Sequence, residues 1–75
     1  MKIFQCGYSS FVYELFRDEN GTIRATKTSI KDGKVCLEKT FGGDEEAGRT
    51  WLIERNDQDQ KFTLAYMRLA GGSDG

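Results

Sequence analysis

Apolar and polar positions alternate with a short period over the first forty residues. "MKIFQC" (1–6) sets Ile3 and Phe4 among polar neighbours and reads as a strand. "GYSS" (7–10) is a turn, and "FVYELF" (11–16), aromatic and β-branched, is a second strand. The two make an N-terminal hairpin that "RDENG" (17–21) closes with a strong turn signal. "VCLEKTF" (35–41) is a further strand, whatever precedes it. In "GGDEEAG" (42–48) the pattern changes to a loop or a helix start. Asp44 can cap the first turn there, and Glu45 and Glu46 favour its positive end. "RTWLIER" (49–55) carries the only tryptophan, with Trp51 and Leu52 as core anchors. "NDQDQ" (56–60) reads as a polar loop and "KFTLAYMRL" (61–69) as a final strand, followed by "AGGSDG".

One stretch supports two readings. In "TIRATKTSIKDGK" (22–34) a helix would use Thr22 as its N-cap, align Ile23, Thr26 and Ile30 on one face, and end at Gly33. A strand would use the β-branched threonines and turn at "KDGK" into the next strand. Thr and Ile are mediocre helix formers, so local propensity alone leans to strand.

Composition narrows the chemistry. Seventy-five residues make one domain with a modest core and only a few kcal/mol of stability to lose. A formal net charge of −1 gives no electrostatic case for nucleic acid or an anionic membrane. No apolar run approaches the roughly 20 residues of a membrane span, and "MKIFQCG" is too short in apolar residues for a signal peptide, so a cytoplasmic protein is expected. The absence of histidine excludes Ser–His and Cys–His catalysis and leaves Cys6 and Cys36 without a metal-binding partner set. Both are expected to be free thiols. "GDEE" and "NDQD" read as solvated loops, and "RDENG" lacks the spacing of a calcium loop. No catalytic residue, metal or other cofactor is expected.

The order of elements resembles the ubiquitin-like family. Met1, Ile3, Phe4, Leu15, Thr22, Ile23, Lys27, Ile30 and Asp32 look identical to family positions without a gap. "AGRTW" (47–51) is similar to the family's D-G-R-T-L, and "TLAYMRLAGG" (63–72) to its diglycine ending. The resemblance implies an α+β β-grasp over residues 1–70, a mixed β-sheet with one helix (22–32) packed across it, and a flexible tail over 71–75. It also implies a protein modifier. Residues 73–75 would be removed, and Gly72, preceded by Gly71, would be joined to target amines. Glycine suits such an arm because it passes a narrow channel without a side chain. Arg68, Leu69 and Tyr66 would dock on partners, and Lys27 and Lys61 match or lie near family acceptor lysines. The implied partners are an activating enzyme, a conjugating enzyme, a processing peptidase and target proteins.

A reading of another class follows if 23–30 is a strand. Residues 1–41 then form an antiparallel β-meander, and a helix at about 44–56 packs on it through Ala47, Trp51 and Leu52. Such a module has no catalytic site and works by surface contact. It is similar in architecture to small phage-encoded inhibitors, the anti-CRISPR proteins among them. Tyr8, Tyr13 and Tyr66 are its candidate interface anchors.

Overall fold

The computed structural model describes residues 1–71. Among these, the chain forms β1 (Lys2–Gly7), β2 (Phe11–Arg17), β3 (Ile23–Ser29), β4 (Val35–Thr40) and α1 (Glu45–Gly71), in that order. The strands pair in sequence order, each antiparallel to the next, and α1 packs across one face of the sheet. The fold is thus α+β, with one helix laid across a sheet.

The three turns follow from their residues. Tyr8 donates its N–H to Phe11 in the first, at 3.0 Å. In the second, the Asp18 carboxylate accepts the N–H groups of Asn20 and Thr22, and Gly21 takes a φ of 82° that a side chain would resist. In the third, Gly33 (φ 71°) donates to the Ser29 carbonyl while Asp32 accepts from Lys34.

Strand periodicity decides which side chains meet the helix. The register aligns Phe4, Leu15, Ala25 and Lys39 in one transverse row, and Cys6, Tyr13, Lys27 and Leu37 in the next, all on the helix side. Tyr13, Leu15, Ile23 and Ala25 are fully buried, with Leu52 of α1 completing the core and Ile3, Phe4, Phe11, Phe41 and Trp51 packed around it. The opposite face carries Lys2 paired with Glu14 and Arg24 paired with Glu38.

Asp44 caps α1 as its sequence context suggests: its carboxylate accepts the Ala47 N–H at 2.9 Å. Gly48 lets the first turns approach closely. A Cβ there would stand 2.9 Å from both Ile23 Cγ2 and Leu15 Cδ1.

Three expectations are corrected. Residues 22–32 do not form the helix that the β-grasp layout requires; Ile23–Ser29 is β3, with Ile23, Ala25 and Lys27 facing the helix and Ile30 exposed in the turn. As a helix, this segment would align Ile23 with Thr26 and Ile30. As a strand, it puts Ile23 and Ala25 in the core and spends its threonines at positions suited to a pleat. The sheet is accordingly antiparallel throughout rather than mixed. Nor is 61–69 a strand: α1 runs unbroken from Glu45 to Gly71, about 40 Å, because no glycine or proline interrupts it between Gly48 and Gly71. The polar "NDQDQ" segment lies within it, with Asp57 paired to Lys61 and Asp59 to Arg55 at i,i+4 spacing. The helix is described to Gly71, and 72–75, most of the expected tail, lie outside the described residues.

Candidate interaction surface

Helix α1 makes its main contacts with β1, β2 and β3 and reaches β4 chiefly through Trp51 beneath Lys39. Exposure records the consequence. Along the Tyr13 row, burial is complete at β2, while Leu37 on β4 is 37 % exposed; every residue of β4 is exposed, Val35 and Cys36 included. The end of the helix is equally open. Thr63 meets the Tyr8 hydroxyl at 3.1 Å, and beyond it Leu64, Ala65, Tyr66 and Arg68 are all exposed. The molecule is accordingly 53 Å long against 24 and 14 Å in its other dimensions.

Two stretches thus present large apolar side chains to solvent: Val35 and Leu37 on β4, and Phe62, Leu64 and Tyr66 on α1. The helical spacing connects them. Trp51 packs against Phe41 and lies under the Lys39 ammonium, which fixes this flank of α1 on the β4 side. Arg55, Phe62 and Tyr66 follow Trp51 at four, eleven and fifteen residues along the same flank. By this spacing the flank and the helix-side residues of β4, Leu37 and Lys39, bound one uncovered strip, a shallow trough.

A polar cluster holds the helix against the sheet beside the trough. The Asp59 carboxylate accepts the Tyr13 hydroxyl at 2.6 Å and the Lys27 ammonium at 2.9 Å, with Arg55 Nε at 3.4 Å. Lys27 also stands 4.2 Å from the centre of the Phe11 ring. Burial by itself would raise the Asp59 pKa. The hydrogen bonds from Tyr13 and Lys27 and the charges of Lys27 and Arg55 outweigh it, so the carboxyl is held below its usual range. The Tyr13 phenol is pushed up, first by burial and then by Asp59 and Tyr8. Two cations, Lys27 and Arg55, therefore share the Asp59 carboxylate, while Lys39, over the Phe41 and Trp51 rings, makes no ion pair among the described residues.

The residues singled out from sequence are scattered over this architecture. Tyr66 and Arg68 lie on the overhanging part of α1, and Leu69 and Gly71 in its last turn. Gly72 lies outside the described residues. Lys27 is committed to Asp59 and its side chain is only 16 % exposed, whereas Lys61 is on the open face of the helix, paired with Asp57. Tyr13 is a core residue, not an interface anchor, and Tyr8 is half-buried against Phe11. The surface residues that sequence reasoning passed over are Val35, Leu37 and Phe62. Their signal was that neither assigned strand had a covered face to put them on.

Cys6 and Cys36 sit on β1 and β4, the opposite edges of the sheet. Three strand spacings, about 14 Å, separate those edges, twice the Cα reach of a disulfide; both thiols are free, and burial raises the pKa of Cys6. Among the described residues no three metal-ligating side chains come together, and no helix is long and apolar enough to cross a membrane.

Fold and surface together define a class: a small α+β domain whose most distinctive feature is an uncovered apolar and cationic flank. Comparison takes this no further, since no family model, curated protein or solved structure matches the chain.

Proposed function

We propose that this chain is a small, non-catalytic protein-binding module that acts by surface contact. The observation that carries the reading is the exposure of Leu37 on the helix side of β4 and of Phe62 and Tyr66 on the facing flank of α1, 37–74 % each, in a domain whose fully buried hydrophobic core numbers five among the described residues. Exposed apolar side chains that include two aromatics on one helix flank are the kind that mark interaction sites, and aromatic anchors supply most of the affinity at such sites. The modifier function implied by the ubiquitin-like resemblance has weaker support. It needs an extended arm leading to Gly72, and the residues ahead of that arm, through Gly71, are helical.

Site-specific photo-crosslinking tests the proposal. A photoreactive amino acid replaces Phe62 or Leu37 in one set of variants, and Lys2 or Gln5 on the opposite face in another. In cells that produce the protein, defined adducts are expected from the first set alone. Equal labelling from both faces, or none from either, refutes it.

A further inference from the structure

The trough has a second property besides its apolar lining: one of its walls is an unfinished sheet. Phe41 donates its N–H to the Ile23 carbonyl, which places that residue's amide toward β3. Antiparallel ladders alternate, so the amides of Thr40 and Glu38 point the other way, toward the open edge. A register shift between Lys27 and Thr28 limits the regular part of this edge to Leu37–Thr40. The other edge of the sheet is less open. Ile3, Phe4 and Cys6 of β1 are partly buried, the ladder is irregular between Lys2 and Phe4, and Arg49 covers the Phe4 ring at 4.9 Å.

Resting on the binding-module reading, we infer that β4 is a docking edge for an extended partner segment whose inward side chains alternate between apolar and acidic. Backbone pairing to Glu38 and Thr40 supplies orientation, as in other cases of strand addition. Side chains of the added strand on the helix side fall next to Leu37 and Lys39, within the 4.5–5.5 Å spacing of cross-strand neighbours. They meet there the exposed side chain of Leu37 and the ammonium of Lys39, which lies over the Phe41 and Trp51 rings and has no ion-pair partner among the described residues, whereas Lys27 and Arg55 are already paired with Asp59. A carboxylate beside Lys39 supplies that partner, whereas a lysine there is repelled. An amphipathic helix laid in the same place would leave the edge amides to water and gain only the apolar part of the surface.

The test uses a synthetic peptide of seven residues, capped at both ends, with threonine at alternate positions and leucine, glutamate and valine between them. Fluorescence of Trp51, which touches the trough through Lys39, reports binding to the full chain. Amide exchange reports where the peptide sits. The glutamate peptide is expected to bind at least tenfold more tightly than its lysine counterpart, with the preference collapsing in 1 M salt and reversing in Lys39→Glu. Exchange at Glu38 and Thr40 is expected to slow at least tenfold, and N-methylation of the peptide at alternate amides to abolish binding. Absence of binding, binding indifferent to charge, or protection confined to β1 overturns the inference. Concentration-dependent protection of β4 without peptide overturns it too, identifying a second copy as the occupant. The two readings fail separately: crosslinks from Phe62 without protection of β4 leave the binding module standing and remove the strand-addition site.

Discussion

Asp59 joins the helix to the sheet at the middle of its length, and removing its carboxylate isolates that one tie. In Asp59→Ala the Tyr13 hydroxyl, in a fully buried residue, loses its 2.6 Å partner, and Lys27, 16 % exposed, loses its counter-ion. An unsatisfied buried hydroxyl that had bonded to a charge costs about 1.5–3 kcal/mol. Stranding a fully buried ammonium costs about 3–5 kcal/mol, reduced here because Lys27 keeps some solvent and the face of Phe11. Arg55 is too exposed to add to the sum. The two terms overlap, since both relax into the space the carboxylate leaves. We therefore expect a loss of about 3 kcal/mol, or a fall in Tm of about 15 °C for a domain of this size. Urea unfolding followed by Trp51 fluorescence measures it. A double-mutant cycle with Tyr13→Phe then isolates the Tyr13–Asp59 coupling, expected near 1.5 kcal/mol. A loss under about 1 kcal/mol with no coupling would show that the cluster is ornamental and that the helix is held by Leu52 and Trp51 alone.

Further expectations concern pH, packing and an orphaned amide. Because the Asp59 carboxyl is held low in the fold, its contribution is present above the unfolded value near pH 4 and lost as pH falls through the folded value. Asp59→Asn should therefore flatten the acid limb of a stability–pH curve. The raised Tyr13 phenol acts at the other end: stability is held up to about pH 10 and declines above it, and Tyr13→Phe should remove that decline. Gly48→Ala gains about 1 kcal/mol of helix propensity but drives a methyl to 2.9 Å from two fully buried side chains, so a net loss of about 1 kcal/mol is expected in chemical denaturation. Asn56 Oδ1 is buried without a hydrogen-bond partner among the described residues, and Asn56→Leu should raise stability by about 1 kcal/mol, readable as a Tm increase in calorimetry.

The first hairpin could be read directly because turn chemistry and strand periodicity agree there, whereas β3 left two readings open, since Ile23, Thr26 and Ile30 also align on one face of a helix. Asp18, Gly21 and Gly33 mark the turns, and Leu15 and Ile23 fall in step with the pleat. The C-terminal half misleads for a physical reason. Phe62, Leu64 and Tyr66 recur every second residue, the signature of a half-buried strand. In a helix that spacing distributes them around the axis, so no one packing partner can cover all three, and they stay exposed. The same conflict makes the candidate surface hard to find from sequence, since a residue looks like core whenever its element is misassigned. Asp59 was obscured differently. In a run of Asn, Asp and Gln it reads as loop, and its role depends on Tyr13 and Lys27, 46 and 32 residues away.

Gly48 fixes one end of α1 tightly on the sheet, and that has a mechanical consequence. From this pivot to Gly71 the helix is a lever of about 35 Å, braced midway by Asp59 and again where Thr63 meets Tyr8. A tilt of about 5° at the pivot, small enough for side chains to absorb, sweeps the tip through about 3 Å. Position at Tyr66 and Arg68 therefore depends on how closely a residue without a β-carbon sits on Ile23 and Leu15, some twenty residues earlier. Substitutions at that contact change the reach of the far end without touching it.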